Sequence, residues 1–213
     1  GTAVLAFNPN LLYMQTTPMT EPLLLVSIII AIYFLAKYLQ SQAINDLILC
    51  SFFVACSTLI RYDGWFLFVC LSVLLPLWLL FAKSKKRAES ILILFLVAGG
   101  FGIVMWFAWN LIIFGDPMYF ISGPFSAAAQ QKVLASVGQL PTKGDLLTSL
   151  FYYMWAVIEN NGIYIVVAAS IGALLLPFVV QKKTWLLIFL IMVSPIVFNI
   201  IALYMGQSAM NIL

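Results

Sequence analysis

The stretch PLLLVSIIIAIYFLA, residues 22 to 36, carries no charge, and its only hydroxyls are those of Ser27 and Tyr33. Extended to residue 39, it approaches the length of about 20 apolar residues that a helix needs to cross roughly 30 Å of hydrocarbon. Overlapping its start is TTPMTEP, residues 16 to 22, which puts the carboxylate of Glu21 at the mouth of a membrane helix. A charge in that place is either a boundary marker or part of a site.

The rest of the chain has the same character. Of its 213 residues 64% are hydrophobic and 8% charged, with a mean hydropathy of +1.11, whereas a soluble domain carries about 25% charged residues. Such a composition describes an integral membrane protein of the all-α class, a polytopic transmembrane helix bundle in a lipid bilayer. The net charge of +3 lies in short runs between apolar segments, so it reports topology and not a nucleic-acid surface. Cys50, Cys56 and Cys70 fall in apolar runs, without CxxC spacing and in a chain with no histidine, and read as small core or lipid-facing residues. The opening GTAVLAFNPN has no basic leader and no signal-like core, and the reading expects a fragment of a longer polypeptide.

Apolar runs of spanning length fall at about 22-39, 45-60, 65-82, 91-114, 162-180 and 184-204, which makes six spans in a single transmembrane domain over residues 1-213. The run LLTSLFYYMWAVI at 146-158 is too short to cross and rich in Tyr and Trp, so a helix lying in the interface is expected there. Lys and Arg are retained on the cytoplasmic side of short loops. Lys83, Lys85, Lys86 and Arg87 are two spans from Lys182 and Lys183 and two from Lys37, so these seven cations share the inner side. Arg61, Lys132 and Lys143 fall outside, together with Glu21, Asp63, Asp116, Asp145 and Glu159, leaving Asp46 and Glu89 inside. Only the outer face collects enough polar groups to build a site. The small residues of AGGFG, 98-102, suit close helix packing, and phosphate-loop, dinucleotide and zinc motifs are absent.

Three segments of that face carry candidate chemistry. In NPNLLYMQTTPMTEP, Asn8-Pro9 and Thr17-Pro18 signal turns and helix starts, Thr20 is a candidate N-cap, and Glu21 in the first turn favours the positive helix end. In LIRYDGWFLF, Asp63 with Gly64 suits a tight turn capping a span that starts at Trp65. Arg61 there runs against the positive-inside bias, and its guanidinium suits a bidentate grip on a phosphate or carboxylate. In WNLIIFGDPMYFISGPFSAAAQQK, Gly115-Asp116-Pro117 stops the fourth span, and Tyr119, Phe120 and Phe125 enter the outer loop 115-145. A connection that long without regular structure is commonly a lid or binding loop, and aromatic residues at that level equally form an interfacial belt.

In that order, NPNLLYMQTTPMTEPLLL, TLIRYDGWFLF and WNLIIFGDPMYFISGPFSAAAQ resemble the membrane region of prokaryotic C-type (GT-C) glycosyltransferases, the family 39-type relatives of protein O-mannosyltransferases and of the lipid A aminoarabinose transferase. The similarity covers about residues 1-130. It implies a mannosyltransferase-like enzyme that moves a sugar from a polyprenyl-phosphate-linked donor, on the extracytoplasmic face of a prokaryotic cell membrane, to a protein, lipid or glycan acceptor. It implies further that Glu21 is a catalytic acid bordering the cavity, that Arg61 contacts the lipid phosphate, and that Asp63, Asp116 and Tyr119 belong to the substrate-binding surface. The principal acid of this family lies in the first outer loop, so the resemblance expects it upstream of Gly1 and expects this fragment alone to be inactive. No metal ligands are assigned, since separate carboxylates on an outer face fit a divalent ion or none. A transporter or flippase subunit is the alternative, and it lacks the ionisable residue that coupled carriers keep in mid-span.

The orientation predicts that Ser84→Cys stays unlabelled by a membrane-impermeant maleimide added to intact cells. Labelling from outside would reverse the orientation.

Overall fold

The computed structural model describes residues 6-81, 85-124, 126-136, 138, 140-179 and 184-208, and of Phe81, Lys85, Lys86, Arg87 and Ala127 the backbone alone. Lys83, Ser84, Phe125, Lys182 and Lys183 lie outside the described residues. Ten helices and no strand follow one another among the described residues: α1 Pro9–Gln15, α2 Glu21–Ser41, α3 Ile44–Ile60, α4 Tyr62–Phe81, α5 Lys85–Phe114, α6 Tyr119–Ser122, α7 Ala127–Ser136, α8 Leu146–Asn161, α9 Ile163–Val179 and α10 Trp185–Tyr204. The protein is an all-α membrane helix bundle. Its contacts divide into two compact units, Gly1–Val104 with Ala169–Pro195 and Met105–Ala168 with Ile196–Leu213.

Four helices are long and apolar enough to cross a membrane: α2, α4 over Tyr62–Leu80, α5 over Ala88–Phe114, and α10. The expected second span is shorter, because α3 holds 17 residues, about 25 Å at 1.5 Å per residue. It nevertheless pairs along α2, and its C-terminal neighbour Arg61 reaches Glu21 at the start of that helix. The two therefore run antiparallel along α3, with the Arg61 side chain reaching the start of the longer α2. The expected fifth span, α9, continues from α8 through a 110° bend at Gly162, whose φ of +80° is one that glycine adopts without strain. Helix α8 exposes Leu147, Leu150, Phe151, Met154 and Trp155 at three- and four-residue spacing, an apolar stripe suited to lying along an interface.

In the first unit the core is a set of narrow stripes. Helix α2 contributes Leu24, Ile28, Ala31, Leu35 and Tyr38, α3 Leu47, Cys50 and Val54, and α4 Leu67, Leu71, Leu75 and Leu79. These positions recur every three or four residues, which puts them on one face of each helix. The remaining faces are equally apolar and stay exposed, among them Leu23, Val26, Ile29, Val97 and Phe101, as expected of helices whose solvent is lipid. Three hydroxyls inside the core bond back to their own helix, Ser51 to the Leu47 carbonyl at 2.9 Å, Ser57 to Val54 at 2.7 Å and Thr58 to Ala55 at 2.7 Å, whereas those of Tyr38 and Ser72 have no partner among the described residues. In hydrocarbon no water would otherwise satisfy the first three.

Two glycines set how closely the first-unit helices approach. A Cβ on Gly64 would collide with the backbone of Ser57 and Thr58, and one on Gly102 with Thr58 and the Ala55 carbonyl. Gly99 and Gly100 seat the Phe68 ring, to which a Cβ would come within 3.2 Å.

The long connection differs from its expected irregularity, because it contains α6 and α7. Asp116 initiates the first of these, and the alanine-rich sequence of the second begins at Ser126, whose Oγ accepts the Ala129 N–H at 3.2 Å. In the second unit α10 ends in a glycine cap. Gln207 N–H donates to the Ala202 carbonyl at 2.8 Å and Gly206 N–H to that of Leu203 at 3.0 Å, with Gly206 at φ +69°.

Gly64→Ala is expected to cost about 1–3 kcal/mol through overpacking at the α3–α4 contact. Gly172→Ala, in α9 with open space around it, should be neutral or stabilising, and denaturant unfolding in detergent compares the two. Equal stabilities would remove the close approach as a determinant of the fold.

Candidate functional site

The candidate site forms where α2 begins and α3 ends. Helix α3 stops at Ile60, Arg61 takes an extended conformation (φ −156°, ψ 162°), and α4 begins at the next residue. The corner is closed by backbone bonds from Arg61 N–H to the Ser57 carbonyl at 3.2 Å and from Gly64 N–H to the Arg61 carbonyl at 3.0 Å. The Trp65 indole donates to the Thr58 carbonyl at 2.8 Å and its ring meets Tyr62 edge-on. A one-residue corner is possible because Gly64 lets the start of α4 touch the α3 backbone.

This corner aims the Arg61 guanidinium at two carboxylates. Nη1 pairs with Glu21 Oε1, and Nε donates to Asp63 Oδ2 at 3.2 Å. Arg61 and Glu21 side chains are 42% and 41% exposed and Asp63 12%, so the cluster sits at a wet boundary. Formal charges of one cation and two anions leave it at −1. Two of the guanidinium's five N–H donors are used, and Glu21 Oε2 has no partner among the described residues.

Two expectations about these residues change. Thr20 occupies the position before α2, but its side chain makes no capping bond. Pro22, at the second helical position, has no N–H to offer it, and Thr20 itself has helical angles where a cap is extended. The span expected to start at Trp65 starts earlier, with Asp63 inside its first turn. The helix has already begun at Tyr62, and the Asp63 carboxylate turns to Arg61.

Asp116 and Tyr119 belong to the second unit. Asp116 uses both carboxylate oxygens locally, Oδ1 accepting the Met118 N–H at 2.8 Å and Oδ2 the Ser122 hydroxyl at 3.1 Å. Tyr119 stacks on Phe114 with centroids 4.1 Å apart, while Phe120 packs edge-on against Trp106 and Phe107. These contacts tie α6 to the end of α5. Asp145 likewise caps α8, and the Thr148 N–H followed by the Thr148 hydroxyl holds its carboxyl below the usual value.

A second polar cluster, not singled out in the sequence, closes the opposite end of the α2–α3 pair. Lys37 Nζ lies 3.0 Å from Asp46 Oδ1, and the Ser41 hydroxyl donates to Asp46 Oδ2 at 2.9 Å. The spacing across QSQ supplied the signal, since Lys37 and Asp46 flank a turn too short to separate them. Among the described residues no three carboxylate, thiol or imidazole groups gather as a metal site.

The fold and this boundary cluster place the chain in the class of all-α integral membrane proteins with a polar centre at one helix end. No family model, curated protein or solved structure matches it.

If the cluster serves chemistry and not the fold, neutralising it costs little stability. Glu21→Gln should lower unfolding free energy by less than about 1 kcal/mol, the range of solvent-exposed ion pairs. A loss several times larger in detergent unfolding would make the cluster a structural fastener.

Proposed function

We propose that the chain is the membrane region of a GT-C glycosyltransferase that moves a sugar from a polyprenyl-phosphate donor to a protein, lipid or glycan acceptor on the extracytoplasmic side of a prokaryotic membrane. The observation that carries this reading is the meeting of Arg61 with Glu21, 40 residues apart in sequence, which joins two of the three segments resembling that family. A guanidinium and a carboxylate with a spare oxygen, side by side at a wet helix end, are the groups such a transfer uses.

The acceptor hydroxyl oxygen attacks the anomeric carbon while the bond from that carbon to the phosphate oxygen breaks. Polyprenyl phosphate leaves with the electron pair, and the acceptor proton passes to a carboxylate. Arg61 supplies the electrostatic stabilisation of the departing phosphate. Because the cluster already carries −1, an arriving phosphate gains most by displacing a carboxylate from Arg61 instead of adding to it. Exchange at the Glu21 contact frees that carboxylate beside the acceptor, and Asp63, on the same corner, keeps the guanidinium oriented. The resemblance also expects Asp116 and Tyr119 on the substrate-binding surface; in the second unit they hold α6 against the end of α5.

Arg61→Ala should weaken polyprenyl-phosphate binding by the membrane-inserted protein by about tenfold or more, and Arg61→Lys by less, since it keeps charge without the planar fork. Glu21→Gln removes a competitor for Arg61 and should leave that binding intact or tighter, while sugar transfer by the polypeptide completed with its upstream outer loop falls about tenfold or more. Unaltered binding in Arg61→Ala would sink the proposal.

A further inference from the structure

Two of the three cations assigned to the outer side, Lys132 and Lys143, line one cavity of about 270 Å³ together with Gln131, Met205, Gly206 and Gln207. All of these residues belong to the second unit. The convergence is informative, because lysines are disfavoured on the translocated side of a membrane protein and these two come from separate segments, α7 and the turn before α8. Among the described residues neither lysine has a carboxylate within ion-pair distance. Asp145, the acid nearest to Lys143 in sequence, is engaged by Thr148.

The wall of the cavity that carries Lys143 is fixed by hydrogen bonds. The Thr142 hydroxyl donates to the Leu203 carbonyl at 3.1 Å and Gly144 N–H to that of Tyr204 at 2.9 Å, while Ser149 donates to the Thr142 carbonyl at 3.0 Å. These bonds pin the turn carrying Lys143 to the capped end of α10. The Lys143 stem lies along Gly206, where an added Cβ would come within 2.9 Å of Cδ. Gln131 lines the same cavity, and its Oε1 is buried with no hydrogen-bond partner among the described residues. A turn of this amide toward a hydroxyl in the cavity would supply the bond that the oxygen lacks.

We propose that this cavity binds a small anion that also carries hydroxyls, the chemistry of a polyol or sugar phosphate. Lys132 and Lys143 hold the phosphate as point charges, Gln131 and Gln207 meet the hydroxyls, and the volume, just under the ~300 Å³ at which ligand pockets usually begin, limits the group to a few carbons. The site does not involve Arg61 and does not depend on the glycosyltransferase reading. Its ligand comes either from a phospholipid headgroup or from solution.

The test uses the full chain in phosphatidylcholine nanodiscs. Glycerol 1-phosphate is titrated by calorimetry, and retention of phosphatidylglycerol mixed into the discs is measured by native mass spectrometry. Lys132→Gln and Lys143→Gln should each weaken binding by about tenfold, the scale of one lost charge-assisted bond. Gln131→Leu should erase the preference for glycerol 1-phosphate over methyl phosphate without abolishing phosphate binding, a readout that misfolding would not produce. Binding of the lipid alone assigns a headgroup site, and binding of glycerol 1-phosphate alone a soluble ligand. Failure of both probes, or binding that survives both lysine substitutions, overturns the proposal.

Discussion

The structure depends on turning an apolar chain at Arg61, the single residue between α3 and α4. Between these helices there is no loop to make the turn. The corner instead uses Arg61 N–H, Gly64 N–H and the Trp65 indole to close on carbonyls of the first helix and of the corner itself. That closure requires α4 to touch α3 directly, which the missing side chain of Gly64 permits. A guanidinium held on so short a corner has little freedom, and this fixes where its charge meets the start of α2. The position of the candidate site thus follows from a packing constraint.

The same constraint orders the rest of the first unit. Apolar side chains in lipid gain nothing from burying themselves against each other rather than against acyl chains, so small residues and shape decide which faces meet. Gly99, Gly100 and Gly102 present α5 to Phe68 and Thr58, and α4 offers leucine at every fourth position from Leu67 to Leu79. The hydroxyls of Ser51, Ser57 and Thr58 enter the core because each bonds to a carbonyl one turn back.

What was legible in the sequence follows from which signals are local. Charge-free runs announce the α2, α4, α5 and α10 spans, and Gly115-Asp116-Pro117 announces the end of α5, where Gly115 sits at φ +71°. The run 45-60 already announced α3 as a short span, but hydropathy could not show that its end meets the start of α2, because that meeting depends on the Arg61 corner. Nor could it show helices inside 115-145, where the Ala-rich stretch after Ser126 was hidden by the aromatic and glycine signals before it. At the site, Glu21, Arg61 and Asp63 were visible as unexpected charges, but their pairing was not. Contact between the start of one helix and the end of the next depends on helix length and register, to which composition is blind. Asp116 shows the converse, since a carboxylate with a promising neighbourhood turned out to spend both oxygens on its own turn.

The two ends of the α2–α3 pair carry similar residues arranged to opposite effect. At one end Asp46 is 7% exposed, with one oxygen on Lys37 and the other on the Ser41 hydroxyl; the formal charges cancel and the acceptor is fully engaged. Such a pair closes a turn and offers nothing to a ligand. At the other end Arg61 faces two carboxylates, the sum is −1, and Glu21 is 41% exposed with Oε2 unengaged among the described residues. Excess negative charge beside one shared cation is a poor fastener, because each carboxylate weakens the hold of the other. It is a good exchange point, because a third anion can replace either carboxylate while the guanidinium keeps its remaining contact. The open cluster is therefore the one suited to chemistry, and the closed one fixes the opposite end of the helix pair that carries it.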